Sequence, residues 1–216
     1  MARQLINHIL AGTAHVLRDP RVELVLEALY TRAQRAADEK RDAPAEDPDA
    51  MGDFGYSLSP TQGELLYLLC RATRARTVVE FCSSEGATAI YLAAALRDNG
   101  GGTVIGADSR PDRIRAARNN LADAGLSEYA DLRCGEPEEV LADVEGPIDL
   151  VSVDGWPELA APSRARRTME VLVPRLRSGA LVLNDGREPD YLDLVRAADS
   201  PLRTTVVDIG LLSVAE

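Results

Sequence analysis

The strongest constraint on the fold is a repeated alternation of short apolar runs, rich in β-branched residues, with helical patterns. The apolar runs lie at 77–81, 103–107, 148–153 and 180–183, and a weaker one lies at 130–133. The helical patterns that alternate with them cover about 87–97, 111–124, 138–143 and 159–172. Alternation at this spacing predicts an α/β fold: a Rossmann-like, doubly wound, mostly parallel sheet with helices on both faces.

The C-terminal end departs from this alternation. Two further apolar runs, 204–208 and 211–214, are joined by only Ile209 and Gly210. A parallel crossover needs about a dozen residues, so this short connection forces an antiparallel hairpin. The sequence therefore predicts seven strands, of which the last two form a C-terminal antiparallel hairpin.

The N-terminal part has a different character. Apolar residues recur at helical spacing within 5–17 and 22–33, which predicts two amphipathic N-terminal helices. Residues 41–57 are rich in Asp, Ala, Pro and Gly and are predicted to form a linker. Ser59 and Pro60 then predict a helix start, with Ser as N-cap and Pro in the first turn. We expect a helical extension at 1–40, this linker, and an α/β domain at 58–216.

Charge and composition limit the partners. A net charge of −11 disfavours nucleic acid and anionic membrane surfaces as partners. No apolar run approaches the roughly 20 residues of a membrane span, and no signal peptide is recognisable. We expect a soluble, cytoplasmic protein with a small-molecule partner. The three cysteines suggest neither a disulfide framework nor a zinc site, and the only lysine is Lys40.

The first candidate binding feature is the turn after the first strand, residues 80–88. The helix that follows offers free N–H groups to an anion such as a carboxylate, and Ser83, Ser84 and Thr88 offer hydroxyl groups beside it. Gly86 lies in the same turn. The alternative interpretation is an ordinary turn of small residues, with Ser84 as the helix cap.

The second candidate is Asp108, at the end of the second strand and about 20 residues after Gly86. An acidic residue at this place in such folds accepts hydrogen bonds from ribose hydroxyls. Alternatively, Asp108 caps the helix that begins near Pro111. The turn and the aspartate together predict a ligand that contains a nucleoside.

Further candidates follow the remaining strands. Gly135, Glu136 and Pro137 form a turn that can approach an adenine, and Trp156 can stack on a purine or fill a core or lid position. Asp154, Asn184 and Asp185 are predicted to meet at one sheet edge. They offer the oxygen ligands that Mg²⁺ or another divalent cation prefers, although acidic loop residues in water are an equal alternative.

In this order and spacing the motifs resemble the class I methyltransferases that use S-adenosylmethionine, specifically the catechol and caffeoyl-CoA O-methyltransferase-like group. The resemblance runs from about residue 58 to the C-terminus. It includes segments 59–66 (SPTQGELL), 80–88, 115–120, 149–154 and 210–214, together with Asp108. The family's sheet likewise ends in an antiparallel hairpin.

The resemblance implies a role for each matched residue. Glu80, Ser83 and Thr88 would hold the amino-acid end of S-adenosylmethionine, and Gly86 would let the backbone approach it. Asp108 would hold the ribose, Ser109 would lie beside the adenine, and Gly135, Glu136 and Pro137 would flank the adenine. Asp154 would lie near the methyl donor and the metal, and Trp156 would lie against the cofactor.

The chain also departs from the family pattern. Cys82 stands where the family has the first glycine of its turn, and Asn184-Asp185 reverses the family's metal-binding Asp-Asn pair. Pro157 replaces the lysine that acts as base in animal catechol enzymes. The segment 186–189 is short where relatives often carry a substrate loop.

These observations leave three functions to separate. The first is S-adenosylmethionine-dependent O-methylation of a small acceptor, an aromatic hydroxyl among the candidates, by a chain that could form a homodimer through its N-terminal helices. The second is a catalytically impaired cofactor-binding protein or partner subunit. The third is an NAD-dependent oxidoreductase, which the lack of Gly-x-Gly-x-x-Gly and the terminal hairpin argue against.

Overall fold

The computed structural model describes residues 16–39, 58–153, 161–184 and 188–216. Its helices are α1 (Pro20–Glu39), α2 (Pro60–Thr73), α3 (Ala87–Asp98), α4 (Pro111–Asp123), α5 (Pro137–Val140), α6 (Arg164–Leu172) and α7 (Pro189–Arg196). Its strands are β1 (Thr77–Phe81), β2 (Thr103–Asp108), β3 (Ala130–Cys134), β4 (Ile148–Val153), β5 (Leu176–Asn184), β6 (Leu202–Val207) and β7 (Gly210–Ala215).

The seven strands form one sheet in the order β3-β2-β1-β4-β5-β7-β6. Neighbouring strands from β3 to β5 pair in parallel, whereas β7 pairs antiparallel with both β5 and β6. The predicted doubly wound, mostly parallel sheet with a C-terminal hairpin is therefore confirmed. Because the order reverses between β1 and β4, the carboxyl ends of these two strands border a crevice.

The sheet separates two apolar cores. Successive residues of a strand point to opposite faces, so Val78 packs in the core beneath α1 to α4, whereas Val79 packs in the core beneath α6 and α7. The same alternation places Leu150 in the first core and Val151 in the second. Burial on both faces explains why these strands read as continuous apolar runs in the sequence.

Helix α3 is enclosed by its neighbours. Every residue from Ala87 to Leu96 is buried, in contrast to the single buried stripe of a surface helix. Five of these residues are alanines, whose small side chains let α2 and α4 approach closely. The N-terminus of α3 is thereby fixed at the carboxyl end of β1.

Helices α1 and α2 follow the sequence prediction. Ser59 caps α2 by accepting the N–H of Gln62, whose side chain bonds back to Ser59, and Pro60 begins the helix. Helix α1 adds buried apolar residues to the first core: Val22, Leu26 and Leu29. Arg21 also binds the C-terminal end of α4, donating to the carbonyl oxygens of Asp123 at 2.5 Å and Ala122 at 2.9 Å.

Some predicted elements differ from the structure. Strand β5 begins at Leu176 rather than at residue 180, because Ile148 at the start of β4 provides a partner for Leu176. The helix predicted over 138–143 is the short α5, and the helix predicted from 159 begins at Arg164. Helix α7 was not predicted. With eight residues it is too short to show a clear helical repeat, but Tyr191 and Val195 lie four apart and are both buried.

Parts of the prediction fall outside the described residues: most of the first N-terminal helix, the linker 41–57, and the segment 154–160. The division into 1–40, 41–57 and 58–216 therefore stays a prediction. Among the described residues, no helix is long and apolar enough to cross a membrane.

Asp149 joins three strands at the amino ends of the sheet. Its carboxylate accepts the backbone N–H groups of Arg76 at 2.7 Å and Thr77 at 2.9 Å, and the Nε of Arg177 at 2.6 Å. Burial acts to raise the pKa of Asp149, but the hydrogen bonds from Arg177, Thr77 and Arg76 outweigh burial and hold that pKa below its ordinary value of 3.8.

Asp149→Asn should lower the free energy of unfolding by about 1–3 kcal/mol at pH 7, because two backbone N–H groups and the guanidinium of Arg177 lose their charged acceptor. A lowered pKa stabilises the fold above the unfolded-state value, and this contribution is lost as the pH falls through the folded-state value. The difference from wild type in urea denaturation should therefore shrink below about pH 4. The control Asp143→Asn, at a side chain that is 80% exposed, should change stability by less than about 0.5 kcal/mol. Equal losses in the two variants would contradict the role of Asp149.

Candidate functional site

The turn after β1 adopts a tight, partly left-handed conformation. Cys82, Ser84 and Gly86 have φ angles of 63°, 49° and 88°. The N–H groups of Cys82 and Ser83 both donate to the carbonyl oxygen of Ala107, at 2.8 and 3.2 Å, so the end of β2 holds the turn in place. A left-handed residue with a side chain costs about 1–2 kcal/mol, which explains a glycine preference at the position of Cys82.

Asp108 fastens the same turn from the neighbouring strand. Its carboxylate is 4% exposed and accepts the N–H of Ser84 through Oδ2 and the N–H of Arg110 through Oδ1, both at 2.9 Å. The alternative prediction that Asp108 caps α4 is wrong, because the N-cap is Arg110 and no side chain caps that helix. A buried carboxylate at a strand end, held by backbone donors, is available to hydroxyl groups of a ligand through its remaining lone pairs.

Glu80 and Ser83 lie close together beside Gly106 of β2. Both side chains are buried, and a Cβ atom at Gly106 would come within 2.9 Å of Glu80 Oε1 and 2.7 Å of Ser83 Oγ. Gly106 therefore provides the space that these two polar groups occupy. Thr88, also predicted for this site, is buried in the first turn of α3.

The turn after β3, residues 135–137, lies beside the end of β2. Gly135 has a φ of 151°, and its N–H donates to the carbonyl oxygen of Asp108 at 3.0 Å. Glu136 forms an ion pair of 3.4 Å with Arg164, and Pro137 is buried. The turn 135–137 therefore lies next to Asp108.

A small, open pocket lies at this edge of the sheet. It is lined by Cys82, Asp108, Ser109, Arg110, Arg113, Pro137 and Arg164. Asp108, Ser109 and Pro137 were predicted to bind a cofactor. The three arginines were not predicted, because none of them directly follows a strand.

The arginines of the pocket differ in their partners. Arg110 binds the carboxylate of Asp112 at 2.8 Å, and this hydrogen bond lowers the pKa of Asp112 to about 2. Arg164 is paired with Glu136. Within the part of the chain that the structure describes, the guanidinium of Arg113 makes neither a hydrogen bond nor an ion pair, and its Nη2 is buried.

The fourth and fifth strand ends are only partly described. Asp154, Trp156, Pro157 and Asp185 lie outside the described residues. Asn184 is buried at the end of β5, opposite Val153 of β4. Among the described residues, no group of three His, Cys, Asp or Glu side chains is arranged to hold a metal.

One acidic residue near this edge was not predicted. Glu188, four residues after Asn184, is 5% exposed at the start of α7. Burial and the nearby Glu188 carboxylate raise the pKa of Tyr191, which is fully buried. The carboxyl end of β5 therefore carries a buried carboxylate next to a neutral phenol.

Gly86 should tolerate no side chain, because it combines a positive φ with close packing. A Cβ atom there would lie 2.9 Å from Ala117 Cβ. Gly86→Ala should lower the free energy of unfolding by about 2–4 kcal/mol in urea denaturation, from left-handed strain and overpacking together. Gly100→Ala is the matched control, since Gly100 has a φ of 87° but its nearest neighbouring atom is 4.0 Å away. The control should show the backbone strain alone, and an equal loss in both variants would refute the packing role.

Comparisons with known proteins agree with this geometry. The family described as "Methyltransferase domain" matches residues 79–186, half of the chain. A catechol O-methyltransferase of Niastella koreensis is 30% identical over 102 residues, which are 45% of this chain and 45% of that protein. A relative from Mycolicibacterium smegmatis is 32% identical over 133 residues, 61% of this chain and 62% of the relative.

A solved structure shows the same fold. The O-methyltransferase from Bacillus cereus, in complex with SAH, has a TM-score of 0.65 and 21% identity, and the similarity covers 99% of this chain and 96% of that one. The matches to the two sequence relatives span only about half to three fifths of those proteins. Because the family match covers half of the sequence and includes the β1 and β2 strand ends of the pocket, the chain belongs to the methyltransferase domain family.

Proposed function

We propose that this protein is an S-adenosylmethionine-dependent methyltransferase that transfers a methyl group to an oxygen atom of a small hydroxylated acceptor. The observation that carries the proposal is the buried Asp108 carboxylate, fixed by two backbone N–H groups at the pocket. Family membership and the SAH complex of the Bacillus cereus protein support the cofactor.

The roles of the binding residues follow their positions. Asp108 would accept the ribose hydroxyls, while Ser109 and the turn 135–137 would border the adenine. Glu80, Ser83 and Thr88, with the backbone near Gly86, would bind the amino-acid end, since these groups lie around the turn and the N-terminus of α3. Asp154 and Trp156 would lie near the methyl donor; both are outside the described residues.

The proposed chemistry depends chiefly on alignment. When bound, the cofactor would supply an electrophilic methyl group: the acceptor oxygen, having given up its proton, would bond to that carbon as the carbon–sulfur bond breaks and S-adenosylhomocysteine leaves. Fixing one reactant against β1 and β2 removes much of the entropic cost of bringing the two reactants together. The closed backbone hydrogen bonds around Cys82 and Asp108 provide a rigid frame for this alignment.

A divalent cation such as Mg²⁺ is a separate part of the proposal. Of its three predicted ligands, only Asn184 is described, and a buried amide oxygen at the end of β5 is compatible with a hard cation. No residue is assigned as the general base. Pro157 occupies the position where the resembled catechol enzymes have a lysine, and the only lysine of the chain, Lys40, is distant from it in the sequence. No step of the proposed transfer is therefore assigned to a metal or to a lysine.

Partners and location complete the proposal. A small-molecule acceptor fits the family, and the charge of −11 argues against nucleic acid. A homodimer through the N-terminal helices stays a prediction. A cytoplasmic location stays a prediction.

Calorimetry should detect binding of S-adenosylmethionine and S-adenosylhomocysteine but not of NAD. Asp108→Asn should weaken S-adenosylhomocysteine binding by about 1–3 kcal/mol, or roughly 5- to 150-fold, because ribose hydroxyls lose a charged acceptor. Asp131→Asn, at an exposed ion pair of β3, should leave the affinity within about twofold. Thermal unfolding without ligand checks that both variants are folded. Binding of NAD alone would reject the methyltransferase assignment, and unchanged affinity in Asp108→Asn would reject the ribose role.

Turnover tests the reaction itself. With S-adenosylmethionine, the protein should methylate at least one member of a panel of catechols and other hydroxylated aromatics, measured by formation of S-adenosylhomocysteine. Parallel assays with Mg²⁺ and with EDTA show whether the cation contributes. Cofactor binding without turnover across the panel would contradict the proposed activity and favour the catalytically impaired alternative.

A further inference from the structure

Arg113 is the one cation of the pocket without a partner among the described residues. It lies in the first turn of α4, five residues after Asp108, and its half-buried side chain lines the pocket. The guanidinium groups of Arg110 and Arg164 are held by Asp112 and Glu136. Nη2 of Arg113 is buried and has no hydrogen-bond partner among the described residues.

The charges around the pocket favour a neutral ligand surface over an anion. Two of the three arginines are compensated by their carboxylate partners, and the remaining charge of Arg113 is matched by that of Asp108 on the same pocket. The formal charge of this set is therefore zero, although three arginines line the pocket. A phosphate here would meet Arg113 only together with the repulsion of the Asp108 carboxylate.

The residue types that line the pocket favour a flat partner for Arg113. The described lining residues include no aromatic side chain, and Pro137 and Cys82 are the least polar among them. A purine ring gains affinity from a planar group against its face, and a guanidinium is planar, weakly hydrated and attracted to π-systems. The guanidinium of Arg113 pairs with no carboxylate among the described residues, so we expect its plane to be available to such a ring.

We propose that Arg113 is a specificity-determining residue that places its guanidinium plane against the adenine ring of the bound cofactor. This inference rests on the proposed S-adenosylmethionine site. It assigns to a residue of α4 the base contact that the sequence assigned to Ser109, residues 135–137 and Trp156. Trp156 lies outside the described residues, and the contact of Arg113 is independent of it.

Variants of Arg113 separate a planar contact from a purely electrostatic one. Arg113→Lys keeps the charge but not the plane, and Arg113→Ala keeps neither. Both should weaken the binding of S-adenosylhomocysteine and of adenosine by about 10-fold in calorimetry. Arg113→Tyr supplies a flat ring without charge and should stay within about threefold of wild type. Arg115→Lys, at an exposed position of the same helix, is the matched control and should leave the affinity within about twofold.

A comparison of adenosine with AMP tests the anion alternative. Wild type should bind AMP no more tightly than adenosine, because the pocket charges cancel. Tighter binding of AMP, retained in Arg113→Lys, would overturn the proposal in favour of a phosphate site. Unchanged S-adenosylhomocysteine affinity in Arg113→Ala would overturn it as well.

The failure of this inference is distinguishable from failure of the proposed function. If wild type does not bind S-adenosylhomocysteine, the cofactor proposal fails. If wild type binds but the Arg113 variants bind equally well, only the role of Arg113 fails. Thermal unfolding of each variant without ligand should match wild type, and a loss of affinity accompanied by an equal loss in Arg113→Tyr would indicate a structural role and contradict the planar contact.

Discussion

Two hydrogen bonds to Asp108 connect the pieces from which the site is built. One carboxylate oxygen accepts the N–H of Ser84, in the turn after β1, and the other accepts the N–H of Arg110, at the start of α4. The charged acceptor is buried, so these bonds offset its desolvation and fix its orientation. The loop that would face the amino-acid end of a cofactor and the carboxylate that would face its ribose are thereby set by the same interaction. A rigid arrangement of this kind reduces the ordering that binding requires.

Hydrogen bonds hold the strained backbone of the site in place, and two glycines allow close packing around it. Cys82 and Ser84 adopt left-handed conformations that glycine would adopt more easily, and the bonds to Ala107 and Asp108 maintain them. Two glycines provide space in turn. Gly86 lets α3 approach Ala117 of α4, and Gly106 makes room for Glu80 and Ser83. The side chain at Cys82 therefore adds backbone strain that these hydrogen bonds offset.

The charges at the pocket differ from the net charge of the chain. The chain carries a net charge of −11, yet three arginines line its pocket. Each of two arginines has a carboxylate partner on its own or a neighbouring segment, which leaves Arg113 and Asp108 as the charges available to a ligand. A pocket with balanced charges suits the neutral nucleoside end of S-adenosylmethionine. The net charge by itself disfavoured polyanions as partners but did not indicate this local pattern.

The sequence by itself determined the alternation of strands and helices from β1 to β5, the terminal hairpin and the position of Asp108 at a strand end. These features depend on local signals: apolar runs buried on both faces, a connection too short for a crossover, and an acid at a strand end. Strand pairing, and not a local signal, determined where β5 begins. Its first residues include Arg177, Ser178 and Gly179, which are typical of a turn, but Leu176 pairs with β4. Likewise, Arg164 lies 56 residues after Asp108 in the chain, and only the packing of α6 beside the turn 135–137 brings it to the same pocket. Which arginines are paired with a carboxylate depends on distances in the folded protein, and residue spacing in the sequence does not give these distances.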